Sequence, residues 1–334
     1  MKTYKLLFLL LIFIQLSCNS QQKKINGLSF VASRDTINKT HINSVLEAQS
    51  NYVALMPFGF IRDLSFPKVG FNSSRQWFGE TRGGLLQYAE EFQKKNVKIM
   101  VKPQIWVGHG FFTGDIKMDS EENWKTLEVS YSDFILTYAK AAQEINADIF
   151  CIGTELEDFV MNRPEYWHQL IIEIKKVYKG KLTYAANWDE YKRVMFWNEL
   201  DFIGVDAYFP LSDKKTPSVK EFELSWQPHK KEILQVQQKF NKPILFTEFG
   251  YRSVDYTGKE PWDANRVEGS VNLQAQVNGL QAIHNQFWKE EWFAGGFIWK
   301  WFHKHDKVGG NNDNRFTPQN KPAEATIRKL YQEN

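Results

Sequence analysis

Asp148-Ile149-Phe150-Cys151-Ile152-Gly153-Thr154-Glu155 is a short apolar run that stops on a carboxylate, and it follows directly on a stretch of helical period. In that stretch Trp124, Leu127, Tyr131, Phe134, Ile135, Tyr138, Ala142 and Ile145 recur at three- and four-residue steps. A helix feeding a buried strand is half of a parallel-sheet unit. The same alternation runs outward in both directions. Strands are expected near residues 28–32, 52–57, 97–104, 148–154, 181–187, 202–208, 243–248 and 295–299. Two more stripes support the helices between them. One is Trp167, Leu170, Ile171, Ile174 and Val177, opened by Pro164 where a first-turn proline is tolerated, and the other is Leu273, Val277, Leu280, Ile283 and Phe287.

Eight strand-and-helix pairs without a Pro/Gly/Ser-rich linker predict an α/β fold, a single-domain (β/α)8 TIM barrel over residues 25–334. A doubly wound open sheet is the competing reading. It lacks support, because no Gly-x-Gly-x-x-Gly follows the first strand and no Gly-Lys-Ser/Thr phosphate loop occurs.

Composition narrows the function. With 43% hydrophobic residues among 334 the chain can bury a large core, which excludes disorder. Lys and Arg number 42 against 39 Asp and Glu, a formal charge of +3, too balanced for a nucleic-acid partner. Aromatic residues reach 15%, with 12 Trp, enough to fill a wide core or line a cleft for flat, ring-shaped ligands.

The N-terminus reads as an export signal. Lys2 and Lys5 precede an uncharged apolar run that is too short to span a bilayer. Leu16-Ser17-Cys18 resembles the bacterial lipoprotein cleavage box, although Gln15 stands where that box usually has an aliphatic residue. On this reading residues 1–17 are removed, Cys18 is lipidated, and residues 18–24 tether the domain to a bacterial envelope membrane. The alternative is ordinary signal cleavage near Ser20. Cys151 is then the other cysteine of the mature chain, so no internal disulfide is expected.

In a (β/α)8 barrel, reactive groups gather where strands end. Strand three ends at Lys102-Pro103-Gln104-Ile105-Trp106, strand four at Gly153-Thr154-Glu155 and strand five at Ala186-Asn187-Trp188. Strand six ends at Asp206-Ala207-Tyr208, strand seven at Thr247-Glu248-Phe249-Gly250-Tyr251, and strand eight at Trp299-Lys300-Trp301. Two glutamates, Glu155 and Glu248, therefore face one mouth among amide, phenol and indole groups. Hydrolysis of a glycosidic bond with retention needs two carboxyl groups about 5–5.5 Å apart, one to protonate the leaving oxygen and one to attack the anomeric carbon. Indoles offer flat faces to pyranose rings, and amides bond their hydroxyls.

Glutamates at the ends of strands four and seven resemble the signature of the clan of retaining (β/α)8 glycoside hydrolases. Within it, Trp77-Phe78-Gly79-Glu80-Thr81, Lys102-Pro103-Gln104-Ile105-Trp106, Gly153-Thr154-Glu155, Thr247-Glu248-Phe249-Gly250-Tyr251 and Phe316-Thr317-Pro318-Gln319-Asn320-Lys321-Pro322 look like glycoside hydrolase family 113. The resemblance covers residues 30–322 and implies activity on β-1,4-mannan or manno-oligosaccharides without a cofactor. It implies Glu155 as general acid/base, Glu248 as nucleophile, and Tyr208 as a hydrogen-bond donor to Glu248. Thr154 departs from the clan's usual Asn, so contact with the sugar 2-OH falls to another residue, for which Asn187 is a candidate. Gln104 stands where relatives often have His.

Structural readings compete at several of these positions. Glu157 rivals Glu155, and a salt bridge to Arg252 is the alternative use of Glu248. Asp206 serves either a sugar hydroxyl or a barrel-interior ion pair with Lys102 or Arg252. Trp77, Trp106, Trp188 and Trp299 are sugar platforms or rim packing, and Lys102 joins Gln104 as a candidate sugar contact. His303 and His305 lack the third ligand a metal needs. The rival functions are hydrolysis of another β-glycan, such as galactan, xylan or glucan, and a lipid-anchored sugar-binding barrel without catalysis. A monomer bound to a β-linked glycan in the cell envelope, facing the periplasm or the cell surface, is the expected state.

Overall fold

Each of the eight expected strands forms, and together they close into a parallel barrel. The computed structural model describes residues 23–264 and 269–333, so the signal segment and Cys18 lie outside the described residues. The barrel strands are β1 (Ile25–Phe30), β2 (Tyr52–Leu55), β4 (Lys98–Val101), β6 (Ile149–Thr154), β7 (Lys181–Asn187), β8 (Ile203–Asp206), β9 (Ile244–Phe249) and β10 (Phe293–Trp301). Closure comes from β1 pairing with β10, from Ile25 beside Gly295 to Phe30 beside Trp301. Lys24, expected in the tether, belongs to the domain: its buried ammonium donates to the carbonyls of Glu290 and Phe293 and pins β1 to β10.

Two further strands were not foreseen. β3 (Phe58–Ile61) and β5 (Gln104–Val107) continue β2 and β4 past Met56-Pro57 and Lys102-Pro103, and pair as a small sheet above the barrel rim. The prolines explain the break. The ladder from β4 to β6 ends at Val101 beside Phe150, and Pro103 has no N–H with which to extend it, while the Lys102 and Gln104 amides still donate to Leu55 O at the end of β2 and to Pro57 O just beyond it, each at 2.9 Å. The extension therefore peels away from β6 and stands over the mouth.

Helices α1 (Lys39–Glu47), α2 (Arg82–Gln93), α3 (Glu121–Glu144), α4 (Glu157–Asn162), α5 (Pro164–Val177), α6 (Val219–Phe240), α7 (Leu273–Phe287) and α8 (Pro322–Gln332) surround the sheet. The stripe on α3 is buried from Trp124 to Ala142, and its N-terminus is capped by the Ser120 hydroxyl, which accepts from the Asn123 amide. Most of the aromatic excess packs between helices and strands, as with Trp167, Tyr131, Phe159 and Tyr184, whose rings meet at tilted and edge-on angles. The barrel floor is filled separately by Ile25, Ala54, Met100, Ile149, Phe202, Leu245 and Phe297. Above this plug the interior turns polar.

Candidate active site

Bulges aim both glutamates. Along β9 strict alternation would put Leu245 and Thr247 inside and Glu248 outside. Instead β9 gains one residue on both of its neighbours: Val205 and Asp206 pair with Phe246 and Glu248, and Gly296 and Ile298 pair with Phe246 and Phe249. Such a bulge re-aims a side chain, and here it brings Glu248 to the mouth beside Thr247. β6 does the same: Cys151 and Thr154 pair with Thr183 and Ala185, three steps against two. Glycine is required within that bulge, since a Cβ on Gly153 would lie 2.8 Å from the Tyr131 hydroxyl oxygen. Glu155 then leaves the strand with φ of 48°, a left-handed conformation that costs a side-chain-bearing residue roughly 1 kcal/mol or more, held by its amide bonding Ala185 O at 2.8 Å.

Three donors converge on Glu248. Lys102 Nζ lies 2.5 Å from Oε1, Gln104 Nε2 donates to the same oxygen at 2.8 Å, and the Tyr208 hydroxyl donates to Oε2 at 2.9 Å. Burial, reinforced by the charge of Glu248, holds the Tyr208 phenol far above its ordinary pKa, so it stays a donor. Lys102 also bonds Asp206 at 3.0 and 3.1 Å, and Asp206 accepts from the Thr247 hydroxyl at 2.7 Å. Burial disfavours the Lys102 charge, but Asp206 and Glu248 outweigh it and raise its pKa. One ammonium is thus shared by two acids beneath the mouth, and burial, followed by the charge of Glu248, pushes the Asp206 carboxyl up to about 7.

Glu155 faces that cluster without a hydrogen bond to its carboxyl from any described residue. Burial is the main force raising its pKa, followed by the charges of Asp206 and Glu248, with Lys102 opposing. Its proton is retained well above the usual carboxylate range. The mouth thus holds a carboxylate supplied with donors and a carboxyl that keeps its proton, the pairing that proton transfer and nucleophilic attack on one bond require.

Several sequence expectations change. Lys102, a candidate sugar contact, and Asp206, read either as a sugar contact or as an ion-pair partner, are 0% and 1% exposed and lie below the mouth, bonded to each other. This corrects the sugar-contact reading of both: of the two uses open to Asp206 it takes the ion pair, and its partner is Lys102. Arg252 points elsewhere, toward the carbonyls of Asn314 and Asp263, so Glu248 is not bridged to it. Glu157 opens α4 and pairs with Arg193. His303 and His305 go to different acids, Asp35 and Glu324.

The remaining candidates line the rim. Asn187 is half-buried, accepts its neighbour Trp188's amide at 2.8 Å, and has an amide nitrogen with no hydrogen bond to the described residues. Trp188 stacks on Trp262 with ring centroids 5.3 Å apart. Trp299 is half-buried under the Lys300 ammonium, 5.0 Å from its ring. Trp106 is 53% exposed on β5, on the same strand face as Gln104, and Trp77 is 43% exposed beside the Arg34 guanidinium.

Sequence reasoning missed Glu190, a buried acid past the end of β7. Its Oε1 accepts from the Tyr184 hydroxyl at 2.6 Å and its Oε2 from the Asn187 amide at 2.9 Å. An acid three residues beyond a strand-terminal Asn was the available signal, and Trp188 drew the reading instead.

Glycoside hydrolase family 113 has a family model that matches residues 32–321. Among solved structures, the β-mannanase of that family from Alicyclobacillus acidocaldarius, in complex with ManMIm, superposes with a TM-score of 0.81 at 24% identity, covering 93% of this chain and 97% of that one. A complex structure of a β-1,4-mannanase of the family gives 0.81 at 23%, covering 93% and 100%. The Faecalibacterium prausnitzii β-glucuronidase gives 0.62 at 14%, covering 93% and 49%. These likenesses show the shared barrel. No match was found among curated proteins. With the family model spanning most of the barrel, the chain belongs to glycoside hydrolase family 113.

Proposed function

We propose that the protein is a retaining β-glycoside hydrolase acting on β-1,4-mannan or manno-oligosaccharides by double displacement. The observation that carries this is the convergence of Lys102, Gln104 and Tyr208 on Glu248 while Glu155 keeps its proton across the same mouth. Glu248 attacks the anomeric carbon as Glu155 gives its proton to the departing glycosidic oxygen, so the bond to the leaving sugar breaks and a glycosyl ester forms. Glu155, now a carboxylate, takes a proton from water. That water displaces Glu248 from the anomeric carbon and restores both groups. Trp106, Trp188, Trp299 and Trp77 supply ring faces, and Asn187 has a free amide for a sugar hydroxyl. The mannan preference is supported by the two family members above, both described as mannanases.

Glu248→Gln should abolish turnover of manno-oligosaccharides with an unchanged circular dichroism spectrum, and unaltered activity would overturn the assignment. A panel of mannan, galactan, xylan and glucan tests the substrate: mannan should be cleaved fastest, and preference for another glycan would replace it.

On the same reading the enzyme is tethered through lipidated Cys18 to the bacterial envelope, facing the periplasm or the cell surface. The export signal and the polar segment after Cys18 support this. Radiolabelled palmitate should be incorporated into the native protein and not into Cys18→Ser; equal labelling would remove the anchor.

A further inference from the structure

The end of β6 is held by a relay that the double displacement does not itself use. Leu156, the residue after Glu155, donates its amide to the Tyr184 hydroxyl at 2.7 Å, and Tyr184 donates in turn to Glu190 Oε1 at 2.6 Å. The other carboxyl oxygen of Glu190 takes the Asn187 amide at 2.9 Å. Glu190 is 1% exposed and Tyr184 0%, so neither can touch a glycan. One buried carboxyl therefore ties together the ends of β6 and β7, the strands that deliver Glu155 and Asn187.

This geometry matters because Glu155 lacks support of its own. Its φ of 48° is left-handed, no described residue hydrogen-bonds its carboxyl, and Leu156, at the N-cap of α4, gives that helix no side-chain cap. What fixes the peptide planes on either side of Glu155 is its own amide on Ala185 O and the Leu156 amide on Tyr184. The Tyr184 phenol keeps its proton, because burial and the adjacent Glu190 carboxyl raise its pKa far above ordinary, so it can accept from Leu156 and donate to Glu190 at once. Proton donors misplaced by about 1 Å lose on the order of a hundredfold in rate.

We propose that Glu190 is a positioning residue for Glu155, acting through the Tyr184 hydroxyl on the Leu156 peptide, so that the acid reaches the departing oxygen. The inference rests on Glu155 being the general acid/base.

Leaving-group dependence tests it. A dinitrophenolate departs without needing a proton, whereas a sugar alcohol needs one. Each enzyme is assayed on dinitrophenyl β-mannobioside and on mannotetraose. The ratio of the two kcat/KM values on one sample is independent of the folded fraction, so partial misfolding cannot imitate the effect. Glu190→Ala and Tyr184→Phe should each lose about tenfold to a hundredfold on mannotetraose and less than about threefold on the dinitrophenyl substrate. Equal losses on both substrates, or no loss on either, would overturn the inference. Glu155→Ala serves as the reference. If it shows the unequal loss and the other two variants do not, Glu190 has no positioning role. If Glu155→Ala itself loses equally on both, the acid assignment fails and the inference falls with it.

Discussion

Lys102 Nζ lies 3.0 Å from Asp206 Oδ2, and the same ammonium touches Glu248, so the charge balance beneath the mouth depends on one fully buried cation. Removing it strands two carboxylates in the barrel interior. Lys102→Met should cost about 3–5 kcal/mol of stability, the usual result of deleting one partner of a buried pair, and should lower activity as well. Chemical denaturation at neutral pH measures the first. An unchanged midpoint would mean that Asp206 and Glu248 already share a proton in the native protein.

Gln104 and Tyr208 each place one donor on Glu248. A hydrogen bond to a charged acceptor contributes roughly 1.5–3 kcal/mol. Gln104→Ala and Tyr208→Phe should therefore each lower kcat/KM by about tenfold to a hundredfold, with thermal midpoints close to the parent's. Loss of folding in place of activity would make these donors structural.

Burial of Glu190 pushes its carboxyl from 4.5 up to about 8. The sign follows from proton counting. Between those values the native chain holds a proton that the unfolded chain has released, so the contribution to stability is full below pH 4.5 and is lost as pH rises through 8. Denaturation midpoints measured from pH 4.5 to 8 should fall less in Glu190→Gln than in the parent. Parallel curves would show that Glu190 is ionised throughout.

Trp106 stands beside a groove of about 750 Å³ that Phe60, Arg62, Phe66 and His109 also line. Its ring lies beyond Gln104 on the same strand face, so a glycan long enough to leave the mouth on that side would cross it. Trp106→Ala should raise KM roughly threefold to tenfold for long manno-oligosaccharides and leave kcat within twofold (~2). An equal effect on mannobiose derivatives would place the ring at the mouth itself.

Much of the barrel was legible because its signals are local. The Trp124-to-Ala142 stripe reports one buried helix face, and the runs ending at Glu155 and Glu248 report strands buried on both sides. What stayed hidden depends on register between distant segments. Periodicity gives Glu248 the wrong face of β9, and the extra residue that corrects this is visible when β8 and β10 are set beside it. The β3 and β5 extension was not legible because the expected strands stopped at residues 57 and 104, although the chain continues extended beyond Pro57 and Pro103. Lys102 was a candidate sugar contact and Asp206 stayed open between sugar and ion pair because strand-end polarity does not distinguish a rim from the layer beneath it. Glu190 has meaning through Tyr184 and Leu156, which no spacing along the chain connects to it.

Double displacement requires Glu248 to form a covalent bond to sugar. A mannoside with fluorine in place of the sugar 2-OH and a good leaving group slows breakdown of such an ester, and proteolysis with mass spectrometry then locates the added mass. The label is expected on the peptide that contains Glu248 and to be absent from Glu248→Gln. Labelling at Glu155, or an unlabelled enzyme that releases product of inverted configuration, would contradict the account.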